Sequence, residues 1–221
     1  MRNNSLRGRL TSGFDRIGNG ESCFFLPAMA GLPPKVVDIL ACLPIANVNA
    51  ELIASLSRLE SVRPVDFGCI FAADPFYDSA RLSDDILSFG VHGVANLPSL
   101  GFLTGPFSDA MSASGFDFHR EMHCLLTAKR RGLQTAAFVW SLEQGIYALD
   151  QGPDIVVIHP RRPAGIEDSP RLLADKAATT VSELRERSKN GCQIALYRHP
   201  ALFEKLEMAA ELADGVVLYG T

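Results

Sequence analysis

The sequence predicts an α/β fold made of a single (β/α)8 TIM barrel that spans residues 1–221 and lacks its last helix. Three observations favour this fold. Short apolar runs recur along the whole chain, segments with helical periodicity separate them, and the length of 221 residues suits one barrel better than two domains. An open, doubly wound sheet shares the alternation, but the count of eight runs favours closure.

The predicted strands are rich in β-branched and aromatic residues and are apolar on both faces, as strands of a helix-covered parallel sheet are. We expect them at residues 22–27, 44–49, 66–73, 91–97, 134–140, 154–159, 192–198 and 215–220. Helical periodicity predicts helices at residues 33–42, 50–60, 78–88, 117–131, 142–150, 170–189 and 200–212. Each strand except the last is thus followed by a helix.

Both ends of the chain depart from a regular barrel. The eighth predicted strand ends beside Thr221, which leaves no sequence for an eighth helix. Residues 1–20 form an N-terminal extension, in which residues 5–16 are amphipathic enough for a short helix that covers part of the gap. A partner subunit is the other way to bury that flank, and we expect a homo-oligomer.

Composition excludes several classes of function. A net charge of −4, a pI near 5.7 and the lack of a basic stripe argue against nucleic-acid binding. No apolar stretch reaches the roughly 18 residues that a membrane span needs, and the N-terminus lacks a secretion signal, so we expect a cytoplasmic protein. Neither GxGxxG nor a Walker loop occurs, which indicates no organic cofactor.

Active sites of such barrels lie at the carboxyl ends of the strands. The residues that follow the predicted strands are therefore the site candidates: Asn47, Asn49, Asp74, Asn96, Ser99, Trp140, Ser141, His159, Arg198 and His199. Glu121 joins them from the first turn of the helix that Asp117 is expected to cap. Polar groups from several separate strands thus converge on one rim.

Structural roles compete with functional ones at some of these positions. Asp74 can cap the next helix, Asn96 can hydrogen-bond a turn, and Glu121 suits the positive end of a helix dipole. His159 and His199 follow two different strands, and each precedes a proline. This pair favours acid/base catalysis, because imidazole can donate or accept a proton near neutral pH.

The sequence resembles the phosphoenolpyruvate hydrolase-like TIM-barrel proteins over roughly residues 20–220. Residues 93–101, GVANLPSLG, are similar to the motif G-V-x-N-F-P-T-x-G of that family. Residues 73–76, ADPF, and 154–159, DIVVIH, are similar to its T-D-P-F and A-D-I-I-V-x-H. The resemblance implies a barrel related to enzymes that act on phosphoenolpyruvate-like or 2-oxo-acid compounds. Carried over by position, it implies the site residues Asn49, Asp74, Asn96, Glu121 and His159.

The chain also departs from that family pattern. The long Arg/Gly-rich loop after the second strand is absent, His123 replaces the second glutamate of an E-x-E motif, and residues 199–201, HPA, replace H-G-G. These differences predict either a changed substrate or a loss of catalysis.

The leading functional hypothesis is a lyase or hydrolase that cleaves a bond next to the carbonyl or enol of a small acid. His159 or His199 would move the proton, and Asn49 and Asn96, with Ser99 and Arg198, would bind the substrate. Asp74 or Glu121 would orient a base or ligate a divalent metal such as Mg2+. The alternatives are a non-catalytic barrel that binds a ligand or joins a complex, and a biosynthetic enzyme that acts on carbon–carbon bonds.

Overall fold

The structure is a computed structural model, and it describes residues 6–13, 19–33, 46–59, 65–160, 169–188, 191–198 and 205–220. Eight parallel strands form a closed barrel in which the spatial order follows the chain order. The strands are β1 Leu6–Thr11, β2 Ser22–Phe25, β3 Phe67–Cys69, β4 Gly93–Ala95, β5 Gln134–Val139, β6 Ile155–Ile158, β7 Gln193–Arg198 and β8 Gly215–Tyr219. The pairing of β8 with β1 closes the barrel. The predicted TIM barrel is confirmed.

Helices lie in the connections from β2 to β8 and form the outer layer. They are α1 Val48–Leu56, α2 Ser79–Ser88, α3 Pro106–Ala113, α4 Phe118–Arg130, α5 Leu142–Gln151, α6 Pro170–Arg187 and α7 Glu207–Leu212, with 3-10 turns at Pro27–Met29 and Leu100–Phe102. The prediction missed α3. Residues 34–42 of the helix expected at 33–42 lie outside the described residues, and no helix follows β8 within the described part of the chain.

The first strand of the barrel lies where the sequence predicted a short helix. Residues 6–11 form β1, with Leu10 in the barrel interior and Arg7 and Arg9 at least partly exposed. The guanidinium of Arg9 forms an ion pair with Glu21 at 2.6 Å. Alternation of polar and apolar residues is the signature of a strand with one solvated face, and it resembles helical amphipathicity over so short a segment.

The strand predicted at residues 44–49 is also wrong. Residues 44 and 45 are outside the described residues, and α1 already begins at Val48. Asn47 caps this helix, since its side chain accepts a hydrogen bond from the backbone amide of Ala50 at 3.0 Å. The count of eight strands therefore held because β1 replaces this one.

Two apolar layers surround the strands. The inner layer fills the barrel and is centred on aromatic rings, with Phe24 stacked on Phe67 at 4.5 Å between ring centroids. Gly93 leaves room for this stack, because a Cβ there would lie 2.5 Å from the ring of Phe67. The outer layer packs the opposite faces of the strands against the helices. A strand residue thus faces either the barrel axis or a helix, and this choice decides which side chains can meet.

Within the described residues, no helix combines the length and the apolar character needed to cross a membrane.

Candidate functional site

The carboxyl ends of the strands carry most of the predicted site residues, but these residues form separate groups. Asn96 and Ser99 both contact Glu121, and Asn49 contacts Asp74. His159 lies among aromatic rings, and Arg198 lies beside Glu207. His199 is outside the described residues.

The first group is built around the buried carboxylate of Glu121. Asp117 caps α4 by accepting a hydrogen bond from the amide of Arg120, which puts Glu121 in the first turn of the helix. Oε2 of Glu121 accepts hydrogen bonds from Nδ2 of Asn96 at 2.8 Å and from Oγ of Ser99 at 2.5 Å. Oε1 accepts one from the backbone amide of Leu100 at 2.6 Å. Both oxygens are therefore bound by the loop that follows β4.

Burial controls the protonation of this carboxyl group. Glu121 is completely buried, and desolvation of the charged form raises its pKa to about 7. The hydrogen bonds from Ser99, Asn96 and Leu100 act in the opposite direction because they stabilise the carboxylate. Glu121 can thus exchange a proton near neutral pH.

Asn96 faces the helix layer. Its neighbours Ala95 and Leu97 belong to the interior layer, so the side chain of Asn96 points the other way. Its Oδ1 accepts a hydrogen bond from the amide of Phe138 at 2.7 Å, and Nδ2 donates to the carbonyl of the same residue at 3.3 Å. Asn96 thereby joins the end of β4 to β5 and to Glu121.

Asn49 makes an equivalent pair of hydrogen bonds to the backbone at another strand end. Its Oδ1 accepts from the amide of Phe71 at 3.0 Å, and Nδ2 donates to the carbonyl of Phe71 at 3.1 Å and to Oδ2 of Asp74 at 3.2 Å. The other carboxylate oxygen of Asp74 accepts from the amide of Phe76. The two residues therefore shape the loop after β3.

His159 follows β6 and is only 3% exposed. Its ring stacks on Trp140 at 5.5 Å between centroids and lies 4.6 Å from the ring of Tyr197. Phe102 approaches both His159 and Trp140 edge-on, at 6.3 and 6.0 Å. The imidazole is therefore held by aromatic side chains from the residue after β5, from β7 and from the 3-10 turn at Leu100–Phe102.

That turn links the Glu121 group to His159. Leu100 at its start is bound by Glu121, and Phe102 at its end contacts the imidazole. Gln144 braces the turn, because its Nε2 donates to the carbonyl of Gly101 at 2.9 Å and its Oε1 accepts from the amide of Trp140 at 2.9 Å. Sequence reasoning missed Gln144, although Ser141 and Gln144 have the spacing of a helix capping box.

Arg198 is directed away from this aromatic group. Tyr197 is part of the interior layer and Leu196 is part of the outer layer, so Arg198 shares the outer side of β7. One guanidinium nitrogen lies 3.5 Å from a carboxylate oxygen of Glu207 on α7.

Two cavities open near these groups. The smaller, of about 70 Å³, is lined by His159, Trp140, Ser141, Lys176 and Thr180, among others. The larger, of about 590 Å³, lies between α3, α4 and α5 and also touches Ser141. Within the described residues, no group of three or more His, Cys, Asp or Glu side chains could hold a metal ion.

Solved structures of similar shape are TIM-barrel proteins. The tryptophan synthase alpha subunit of Campylobacter jejuni matches with a TM-score of 0.52 and 14% identity, over 97% of this chain and 75% of that one. Phosphoenolpyruvate phosphomutase of Streptomyces platensis subsp. rosaceus matches with a TM-score of 0.50 and 14% identity, over 97% and 76% of the two chains. At such identities the likeness concerns the fold alone.

Two relatives are similar in sequence over about half of the chain. The protein y4oT of Sinorhizobium fredii is 30% identical over 113 residues, which are 51% of this chain and 58% of that protein. The ToMV susceptible protein tm-1(GCR26) of Solanum lycopersicum is 29% identical over 124 residues, which are 55% of this chain and 16% of that protein. The chain thus matches less than two thirds of the length of either relative.

A family model covers more of the chain than either relative. The model described as phosphoenolpyruvate hydrolase-like matches residues 36–194. The match includes β3 to β6 with Asn49, Asp74, Asn96, Glu121 and His159, and it confirms the resemblance read from the motifs. The chain belongs to the phosphoenolpyruvate hydrolase-like family.

Proposed function

We propose that the chain is a lyase or hydrolase that acts on a small 2-oxo-acid, enol or phosphoenolpyruvate-like substrate, with His159 as the proton-transfer group. The observation that carries the proposal is the environment of His159. The imidazole lies at the carboxyl end of a barrel strand, is held by aromatic rings and lines a small cavity. A general base needs such a fixed orientation, because proton transfer depends on reach and alignment.

The cavity beside His159 suits an acidic substrate. Lys176 supplies a positive charge, and Ser141 and Thr180 supply hydroxyl groups. Trp140 also lines the cavity, and its buried Nε1 has no hydrogen-bond acceptor among the described residues. A volume of about 70 Å³ accommodates a carboxylate or enol group.

In the proposed reaction, His159 removes a proton from the carbon next to the carbonyl group, or returns one to the enolate carbon after bond cleavage. Nε1 of Trp140 and the ammonium group of Lys176 would stabilise the oxygen on which negative charge develops. Glu121 is assigned a positioning role, since both of its oxygens are bound within the protein and it acts on His159 through the turn that ends at Phe102.

The carboxylates predicted to ligate a divalent metal such as Mg2+ are already engaged by the protein. Both oxygens of Asp74 and both of Glu121 accept hydrogen bonds from the protein, so they form a poor ligand set as they stand.

Turnover of a panel of 2-oxo acids and enol phosphates, with and without Mg2+, tests the proposal. We expect at least one substrate to be turned over by the wild-type protein, with a loss of more than a hundredfold in His159→Gln. His123→Gln is the matched control, because His123 is an exposed histidine on α4. Equal rates for His159→Gln and the wild type would overturn the assignment.

A non-catalytic ligand-binding barrel is the second candidate. It is favoured by the amide groups of Asn49 and Asn96, which bind backbone groups and a carboxylate of the protein. Calorimetric titration with the same panel separates the two, because binding without turnover of any member supports the second candidate. The cytoplasmic location and the homo-oligomer stay predictions from the sequence.

A further inference from the structure

We propose that the cavity between α3, α4 and α5 is a second ligand site, which binds a small organic cation with an apolar body. Its volume of about 590 Å³ is within the range of small-molecule sites, roughly 300–1,000 Å³. It adjoins the cavity of His159 at Ser141, yet its walls are different helices. The inference does not depend on the proposed reaction.

The charge of the residues that line the cavity favours a cation as its ligand. Three carboxylate residues line the cavity, Asp117, Glu143 and Asp150, and no lysine or arginine is among the described residues that line it. Asp117 is engaged in capping α4 and in a contact with His119. Glu143 and Asp150 are exposed side chains on α5 and provide the negative charge that a ligand can reach.

Apolar groups and rings supply the rest of the wall. Tyr147 lies between Glu143 and Asp150 along α5, and its ring contacts that of His119 at 4.5 Å between centroids. Phe116 and Met111 contribute apolar surface from the opposite side. Aromatic faces attract organic cations, and an apolar wall binds the body that carries the charge.

Helix stability accounts for Asp117, which caps α4, and for Glu143 in the first turn of α5, but not for Asp150. Asp150 is in the last turn of α5, where a negative charge is unfavourable for the helix dipole. Helix α3, which forms one wall through Ser108, Met111 and Ser112, has no buried residue of its own. An acidic helix end and a loosely packed helix around one cavity are both expected if the cavity holds a ligand.

Calorimetric titration with 2-phenylethylammonium, 2-phenylethanol and 3-phenylpropanoate tests the proposal. The three probes share a phenylethyl body and differ in the charge of the end group. We expect the ammonium compound to bind about tenfold more tightly than the alcohol and the carboxylate to bind most weakly. Equal affinities for the ammonium compound and the alcohol would overturn the proposal.

Variants locate the binding. The double variant Glu143→Gln, Asp150→Asn is expected to weaken binding of 2-phenylethylammonium about tenfold and to leave binding of the alcohol unchanged. Glu51→Gln is the matched control, since Glu51 is an exposed glutamate in the first turn of α1, as Glu143 is in α5. An equal affinity in the double variant and the control contradicts the site, whatever the result of the turnover assays.

Discussion

The side-chain amide of Asn96 donates a hydrogen bond of 2.8 Å to the carboxylate of Glu121, and both residues are completely buried. This contact ties the end of β4 to the first turn of α4. Through Ser99 and Leu100 the same carboxylate also fixes the turn that carries Phe102 to His159.

Ser99→Ala is expected to lower the free energy of unfolding by about 1–3 kcal/mol at pH 8. The hydroxyl donates to Oε2 of Glu121 and accepts from the amide of Gly101, so its loss removes the acceptor of that amide and one of the two hydrogen bonds to Oε2. Urea unfolding provides the measurement. Ser88→Ala, which removes an exposed hydroxyl on α2, is the control, and an equal effect of both would contradict the role of Ser99.

Stability is expected to fall as the pH rises from about 4.5 to about 7. The unfolded chain releases the Glu121 proton near the ordinary pKa of 4.5, whereas burial raises the pKa in the folded protein to about 7. The stabilisation from the neutral carboxyl group is therefore complete below pH 4.5. It is lost as the pH rises to about 7, which lowers the free energy of unfolding by up to about 3 kcal/mol. In Glu121→Gln this component of the pH profile should be absent. A wild-type profile identical to that of the variant would contradict it.

Asn49→Asp is expected to destabilise the protein by about 3 kcal/mol at pH 7. The change removes the donor to the carbonyl of Phe71 and puts a second carboxylate 3.2 Å from that of Asp74. Asp74→Asn in the same chain should restore part of the loss. A double-mutant cycle by urea unfolding should give a coupling of about 1–3 kcal/mol, and additive effects would argue against the contact.

Gly215→Ala is expected to destabilise the barrel by at least about 2 kcal/mol. A Cβ at Gly215 would lie 2.5 Å from the Cβ of Leu6, at the seam where β8 pairs with β1. Gly13→Ala is the control, because nothing lies within 4 Å of a Cβ there. Equal melting temperatures of the two variants in thermal unfolding would contradict the closure of the barrel through β1.

The sequence predicted the barrel because runs such as residues 155–158 are apolar on both faces, as strands between two apolar layers are. It missed β1, because the outer face of this strand carries Arg7 and Arg9 where the other strands carry apolar residues. It also predicted a strand at residues 44–49, but Asn47 caps a helix that begins at Val48. Pairing with neighbouring strands and helix capping determine the structure of these two segments. The local periodicity of apolar residues reveals neither of them.

The sequence identified the members of the candidate site, but it did not show which of them contact one another. The rule that selects strand ends finds Asn96 and His159 alike, although Asn96 faces the helices and His159 lies among interior aromatic rings. Successive residues of a strand face opposite sides, so counting from the interior residue Ala95 would have shown that Asn96 faces the helices. The bracing by Gln144 and the contact of Phe102 with His159 depend on the path of a loop, and no periodic pattern encodes that path.

Exchange of the methyl protons of pyruvate for deuterium, followed by proton NMR in D2O, tests the central claim most directly. It reports proton transfer next to a carbonyl group and needs no knowledge of the bond that is finally cleaved. We predict exchange above the buffer rate with the wild-type protein and with His123→Gln, and a rate at the buffer level with His159→Gln. Exchange at the buffer level with the wild type, or an unchanged rate with His159→Gln, would contradict acid/base catalysis by His159.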